Sequence, residues 1–244
     1  MSKGHSPLEQ FAIKPIFPLQ AGGFDISFTQ SALFMILAVV ATAALMTLGG
    51  KRRAMVPGRW QNVAEMFYEF VYGMAGDALG REARKFFPFI FSVFMIVLMG
   101  NLFGMLPYAF TYTSHIVVTG ALALMVITVA TAVGIAYHGL HFFSLFLPKG
   151  LPWMIAPLVI LIEVISYLSR PLSLSVRLFA NMVAGHTMLK VFAGFSVMMG
   201  AVFGMLPLVL NMALIGLELM IAFIQAYVFA ILTCLYLKDG VELH

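Results

Sequence analysis

Charged side chains are scarce in this chain of 244 residues, where Asp, Glu, Lys and Arg together make up only 10%. A soluble globular domain carries about 25% charged residues, so this scarcity excludes an ordinary water-soluble fold. Apolar residues take their place, because 62% of the chain is hydrophobic and its mean hydropathy is +1.00. The composition predicts an integral membrane protein, with room for about five membrane spans of roughly 20 residues each.

Other features are missing as well. The single cysteine, Cys234, excludes an internal disulfide, and no residue spacing typical of a metal site occurs, so we expect no metal. There is no phosphate-binding loop, no GxGxxG motif and no internal repeat, and we expect no cofactor. The net charge of +4 is spread over loops, so we expect no nucleic-acid partner.

The apolar pattern divides the chain into three parts. Residues 1–29, with prolines at 7, 15 and 18, are predicted to be an irregular segment outside the membrane. Residues 30–151 are predicted to hold a first membrane helix, a surface helix and a helical hairpin. Residues 152–244 are predicted to form a hairpin of two long tilted helices.

The fold class predicted is an all-α integral membrane protein with about five membrane helices and one amphipathic surface helix. The surface helix is predicted at 59–80, because its apolar residues recur at helical spacing while Glu and Asp take other faces. The last two helices exceed the roughly 20 residues of a perpendicular span, so they fit by tilting or kinking. The predicted membrane helices cover residues 30–48, 86–106, 115–137, 152–194 and 202–237.

Basic residues predict the orientation, because cytoplasmic loops of membrane proteins collect Lys and Arg. One cluster follows the first membrane helix, a second ends the surface helix, and a further lysine lies in the loop before the long hairpin. The residues are Lys51, Arg52, Arg53 and Arg59, then Arg81, Arg84 and Lys85, then Lys149. This pattern puts the N-terminus outside and the C-terminus in the cytoplasm.

The long hairpin contains the deep ionisable residues, of which Arg177 is the hardest to explain structurally. An arginine at the bilayer centre costs about 2.5–3.5 kcal/mol on insertion scales, and Arg177 has no neighbouring acid in sequence. By helical geometry it shares a polar stripe with other residues of its helix. The stripe consists of Glu163, Ser169, Ser173, Arg177 and Asn181.

Folding the second long helix back antiparallel predicts which residues meet. A turn near residues 201–202, inside a stretch rich in glycine, places His186 level with Glu218, nearer the outer side. The same turn places Arg177 level with Gln225, deeper in the membrane. His186 lies about 180° round its helix from Arg177, so it serves a different neighbour.

Structural interpretations stay open for several of these residues. Arg170 and Lys190 fit a location near helix ends, from which they snorkel to the interface. Glu163 fits either a satisfied polar pair or a proton site. His186 with Glu218 fits either a structural ion pair or a functional pair, although intramembrane ionisable pairs are functional by default.

The segment RPLSLSVRLFANMVAGH, residues 170–186, closely resembles the signature of subunit a of F-type ATP synthases, the stationary proton-channel subunit beside a rotating c-ring. Three further segments are similar to the same family. They are GNLFGMLPY at 100–108, TSHIVVTGALAL at 113–124 and QAYVFAILTCLYL at 225–237.

The resemblance implies a role for each matching position. Arg177 matches the essential arginine at the rotor interface, Asn181 its polar companion and Gln225 the glutamine facing it. His186 and Glu218 match the two outer half-channel positions, in an order similar to that of the mitochondrial type and its bacterial relatives. Glu163 matches an acid assigned to the inner half-channel.

From these matches we hypothesise that protons enter from outside past His186 and Glu218 and load a carboxylate of the rotor. They leave to the cytoplasm along Ser173, Ser169 and Glu163. The chain is expected to be no enzyme on its own but part of the proton-translocating F-type ATP synthase. The implied partners are the c-ring, the subunit b peripheral stalk, the rest of the F1Fo complex and membrane lipid.

The expected location is the bacterial inner membrane, with the mitochondrial inner membrane as the less favoured choice. Two alternative functions are a secondary transporter and a non-catalytic membrane scaffold. A transporter of common design shows inverted repeats and broken helices, and no repeat is present here. A scaffold would tolerate the loss of Arg177, so neither alternative accounts for the arginine motif.

Overall fold

The computed structural model describes most of the chain and is almost entirely helical in the part described. The described residues are 15–18, 20–21, 24–25, 27–50, 57–106, 109–139, 141–142 and 155–242. The predicted cluster Lys51, Arg52 and Arg53 lies outside this part, and so does Lys149.

Six long helices and one short helix account for the described architecture. They are α1 (Gln30–Gly50), α2 (Arg59–Leu79), α3 (Ala83–Gly104), α4 (Ile116–His138), α5 (Ala156–Met198), α6 (Gly200–Phe203) and α7 (Met205–Val241). A 3-10 turn, Gly80–Glu82, joins α2 to α3. Five helical stretches of the described chain are long and apolar enough to cross a membrane, with α2 and α3 counted as one stretch. The chain is an all-α membrane protein, as its composition predicts.

The N-terminal segment differs from the irregular structure predicted for it. Two short antiparallel strand pairs lie within residues 15–29. The outer pair joins β1 (Pro15–Phe17) to β4 (Phe28–Thr29), and the inner pair joins β2 (Gln20–Ala21) to β3 (Phe24–Asp25). Strands this short give no run of alternating apolar and polar residues, so periodicity could not reveal them.

The turn of the long hairpin lies where the glycines predict it. Helix α5 ends at Met198, and α7 begins at Met205. Gly200 adopts a positive φ of 74°, a conformation that glycine reaches without the steric cost of a Cβ. Both long helices begin three or four residues later than predicted and end about one turn later, at Met198 and Val241.

The chain divides into two compact units, and both long helices contribute to each. The first unit takes in the described residues up to 65, with 95–115 and 178–227. The second takes in 66–94, 116–177 and the described residues from 228.

In the second unit, an aromatic cluster packs α2 against α3. The Tyr68 ring meets the Phe87 ring edge-on with 4.6 Å between centroids, and Tyr72 meets the same ring at 5.4 Å. Edge-to-face pairs of this kind stabilise packing beyond the area that they bury. Phe67 and Phe70, which belong to the apolar face predicted for the surface helix, lie 6.3 and 5.9 Å from the Phe94 ring between centroids, so that face packs against α3.

In the first unit, the segment between α3 and α4 is a buried polar loop. Tyr112 donates a hydrogen bond from its hydroxyl to the carbonyl of Ile96 at 2.8 Å, and burial raises its pKa. The His115 ring stacks on Phe110 with 5.2 Å between centroids, and burial lowers the pKa of His115 because a charged imidazolium is costly to desolvate. The loop is thus a folded element rather than a loose connection.

His115 should make the stability of the protein depend on pH. Its pKa is lower in the folded state than the ordinary value of about 6.5, so the unfolded chain binds a proton first as the pH falls. The stabilisation is therefore complete above about pH 6.5 and lost progressively below it. Thermal unfolding in detergent should show a smaller acid-induced loss for His115→Gln than for wild type. Equal losses in the two proteins would contradict this assignment.

Candidate functional site

The site within the first unit centres on an ion pair between the two long helices. His186 on α5 and Glu218 on α7 are only 8% and 3% exposed, and Nδ1 of the histidine lies 2.8 Å from Oε1 of the acid. The hairpin register predicted this contact, and the structure contains it. Desolvation makes each charge expensive, so the pair is retained only if each partner compensates the other.

Glycine makes room for the carboxylate. A Cβ atom on Gly185 would lie 2.7 Å from Oε1 of Glu218, closer than real Cβ contacts allow. The absence of a side chain at position 185 therefore permits Glu218 to approach α5 and reach the histidine.

A third residue, Thr111, completes the cluster, and the sequence did not predict it. Its hydroxyl oxygen lies 2.9 Å from Nε2 of His186, and its hydroxyl proton is donated to the carbonyl of Gly104 at 3.1 Å. Thr111 is 75 positions from His186 in the chain, so no local pattern signals the contact. Loop threonines are common, and only the packing of the 109–115 loop distinguishes this one.

Asn181 and Gln225 form a second polar contact along the same two helices. The amide of Asn181 donates a hydrogen bond from Nδ2 to Oε1 of Gln225 at 3.1 Å. Gln225 is only 2% exposed, so the bond satisfies a polar group that water does not reach. The register had placed Gln225 level with Arg177; the side-chain partner that the structure gives it is Asn181.

A cavity lies beside these residues and connects two of them. It has a volume of about 140 Å³, and Asn181 and Glu218 contribute its polar lining among leucines, Ile221 and other apolar residues. A space of this size admits several water molecules, and two polar side chains can anchor them. The acid of the ion pair therefore borders a compartment able to hold water, at the level of Asn181.

In the second unit, the predicted residues Arg177, Ser169 and Ser173 are exposed, and Glu163 is half-buried. No carboxylate of the described residues forms an ion pair with Arg177. Ser169 donates a hydrogen bond to the carbonyl of Ser166 at 2.7 Å, as serines on helices often do.

Arg170, for which the sequence predicted snorkelling to the interface, has partners that the sequence did not predict. Its guanidinium forms an ion pair with Asp239 at 2.7 Å, and it lies over the rings of Tyr167 and Tyr236. A planar guanidinium combines these contacts better than an ammonium group does. The interaction fixes α5 to α7 within the second unit, which is a structural role. Among the described residues, no group of three His, Cys, Asp or Glu side chains could hold a metal.

Together, the fold and the buried pair define a class: a multi-pass helical membrane protein with an ionisable site between its two longest helices. Residues 32–238 match the family described as ATP synthase A chain. ATP synthase subunit a of Rhodospirillum rubrum is 54% identical over 240 residues, covering 98% of this chain and 100% of the relative. The subunit a of Chelativorans sp. (strain BNC1) is 55% identical over 242 residues, covering 97% of each chain. That of Pelagibacter ubique is 51% identical over 240 residues, covering 98% of each. This chain belongs to the ATP synthase A chain family.

A double-mutant cycle tests whether Gly185 serves Glu218. Gly185→Ala should destabilise the protein by about 1–3 kcal/mol, the usual cost of overpacking. In a Glu218→Ala background the same substitution should cost much less, because the atom that it displaces is gone. Thermal unfolding in detergent measures both values.

Gly194→Ala on the same helix is the matched control, since a Cβ there meets nothing within 4 Å. An equal cost of Gly185→Ala in both backgrounds would show that the glycine does not act through Glu218.

Proposed function

We propose that this chain is the stationary proton-channel subunit of the Fo sector of an ATP synthase. In this role it offers two offset half-channels and presents Arg177 to a rotating c-ring, so that proton flow drives ATP synthesis. The observation that carries the proposal is the buried His186–Glu218 pair beside a cavity large enough for water, within membrane-spanning helices. The chain does no bond-making chemistry of its own in this scheme.

The exposure of Arg177 supports a negatively charged partner on another subunit. A cation facing hydrocarbon is costly, and the part of this chain that the structure describes offers it no ion pair. A carboxylate on a neighbouring subunit would remove that cost. A guanidinium group keeps its own protons, so Arg177 would attract a deprotonated rotor carboxylate and repel hydronium without carrying a proton.

The pair and the cavity support an inlet that ends near the rotor. A histidine side chain in water changes charge near neutral pH, so it can take and release protons there. In the proposed path a proton passes from His186 to Glu218 and then into the cavity bordered by Asn181. From that cavity it reaches the rotor carboxylate.

The outlet rests on residues of the second unit. Ser173 and Ser169 are exposed and Glu163 is half-buried, so all three are open to a neighbouring subunit or to water that enters beside it. We assign them to the path from the rotor to the cytoplasm. Two separate half-channels force a proton to ride the rotor, and the membrane potential then supplies about 2.3 kcal/mol per charge per 100 mV.

The proposal includes the setting of the chain. We place it in the bacterial inner membrane with the N-terminus outside and the C-terminus cytoplasmic, next to the c-ring and the subunit b stalk. The identity of 51–55% to subunit a of three bacteria supports this setting over a mitochondrial one. Its relatives carry the ATP synthase name, whereas a transporter or scaffold would leave the exposed Arg177 unexplained.

Arg177→Ala should abolish ATP-driven proton pumping in inverted membrane vesicles and increase their passive proton leak. The reason is that the cation both binds the rotor carboxylate and separates the half-channels. Arg177→Lys should also fail, since lysine lacks the planar fork and can lose its proton when desolvated. Pumping is followed by quenching of a pH-sensitive dye.

Lys238→Ala is the control for this test, because it removes a half-buried cation whose contact with the exposed Glu242 is a surface ion pair. Normal pumping by Arg177→Ala in an assembled complex would overturn the proposed function.

Exchange of the inlet residues tests whether they act as a pair. His186→Glu combined with Glu218→His keeps one acid and one imidazole at the same place, so it should retain more pumping than either single change. Initial pumping rates, normalised to the amount of subunit in the membrane, give the comparison. If the exchange is no better than the single variants, the two residues do not function as a pair.

A further inference from the structure

We propose that Thr111 is a positioning residue for proton transfer: it holds the proton of His186 on Nε2, so the proton that the pair exchanges lies between Nδ1 and Glu218. This inference rests on the proposed function and adds a residue to it from a different part of the chain. The threonine hydroxyl is bound at the end of helix α3.

The hydroxyl proton of Thr111 is used in a hydrogen bond to the last residue of α3. The last four carbonyls of a helix have no intrahelical partner, and Gly104 is the final residue of α3. Thr111 donates to the carbonyl of Gly104 at 3.1 Å, and a carbonyl can only accept. A threonine hydroxyl has one proton, so it has none left to donate to His186.

The bond between Thr111 and His186 therefore has a fixed direction. Nε2 of the histidine lies 2.9 Å from the hydroxyl oxygen, and it must be the donor. The nitrogen left to exchange a proton is Nδ1, which faces Oε1 of Glu218 at 2.8 Å. The second bond of the hydroxyl thus sets the tautomer of the ring, as second contacts to a histidine commonly do.

The fixed tautomer makes the deprotonated state of the His186–Glu218 pair unfavourable. With one proton shared, the pair is either imidazolium with carboxylate or neutral imidazole with carboxylic acid, and the proton is exchanged across the 2.8 Å contact of Nδ1 with Oε1. When Glu218 passes that proton on, a lone pair on Nδ1 faces a buried carboxylate with nothing between them. That arrangement is unfavourable, so the pair takes up a replacement proton readily.

Without the Thr111 hydroxyl, the deprotonated His186–Glu218 pair could rearrange into a more stable form. The neutral ring could move its proton to Nδ1 and donate it to the Glu218 carboxylate, which would stabilise the deprotonated state. Loss of the acceptor at Nε2 would also weaken the imidazolium, because hydrogen bonds favour the charged form that they bind. Both effects lower the affinity of the pair for its proton, so they act in the same direction.

Other titratable groups near the pair are few among the described elements. The loop carries Tyr112, whose hydroxyl donates to Ile96, and His115, whose ring stacks on Phe110. Helix α5 carries Lys190 one turn after His186, and this lysine is exposed. Helix α7 contributes Glu218 itself. Of these, Glu218 is the one in an ion pair with His186.

The test is ATP synthesis by inverted vesicles at a fixed potassium diffusion potential, because synthesis draws protons from the lumen, which corresponds to the outside. The pH of the lumen is set from about pH 6 to about pH 9, a range that spans the titration of histidine. Thr111→Val keeps the shape of the side chain and removes the hydroxyl. Its rate of ATP synthesis should decline with rising lumenal pH about one pH unit earlier than that of wild type, the scale of one hydrogen bond to a charged group. Thr111→Ser should restore the wild-type profile.

Thr113→Val is the matched control in the same loop. Thr113 is fully buried, and its hydroxyl has no hydrogen-bond partner among the described residues. Its removal should leave the profile in place. Should Thr111→Val fail to assemble, Thr111→Cys keeps a side chain of similar size with a poor acceptor and should show the same early decline.

The outcomes separate this inference from the function on which it rests. Arg177→Ala is measured in the same series, and normal ATP synthesis there would overturn the proposed function. If Arg177→Ala fails while Thr111→Val and Thr111→Cys follow the wild-type profile, the positioning role is wrong and the function stands. A loss in Thr111→Val that is equal at every pH would also overturn it, because that result describes a structural role.

Discussion

The contact between His186 and Glu218 is the constraint on which the site in the first unit depends. Each group on its own would be a buried charge with a large desolvation cost, and together they offset it only at close range. Three features keep the two side chains close. Gly185 has no side chain to displace the acid, and Thr111 forms a hydrogen bond with Nε2, the ring nitrogen that faces away from Glu218. The α5–α7 hairpin turns at Gly200, which sets the level at which the two residues meet. A shift of one residue between the helices would separate the pair.

At the end of α3, a backbone carbonyl without an intrahelical partner fixes the direction of a side-chain hydrogen bond. A helix terminus must find partners for its last carbonyls, and here a side chain from the following loop supplies one of them at Gly104. The same side chain then has only its oxygen to offer the histidine. Asn101, one turn earlier on α3, donates to the carbonyl of Ala222 on α7 at 3.4 Å. The C-terminal turns of α3 are thereby tied to both helices of the hairpin.

Periodicity and composition predicted the membrane helices well, because a span of apolar residues leaves little choice of structure once it enters lipid. They also predicted the His186–Glu218 contact, since a hairpin turn with a clear glycine signal sets the level of every later residue. They missed the strand pairs at 15–29, which are too short for a period, and the ion pair of Arg170 with Asp239. They missed Thr111 as well, because the path of a polar loop over two helices depends on packing that no local pattern contains.

Arg177 and His186 illustrate two ways to offset the free-energy cost of placing a charge in a membrane helix. His186 is buried, and its own chain provides the compensating acid within 2.8 Å. Arg177 is exposed on a helix long and apolar enough to cross a membrane, and the described chain provides it no acid. Because an unpaired cation facing lipid is costly, its compensation has to come from outside the chain. A rotor carboxylate has to reach Arg177, exchange a proton and move on. A permanent acidic partner within the chain would occupy the guanidinium throughout the cycle. The absence of such a partner in the described chain therefore suits a subunit that binds each rotor carboxylate in turn.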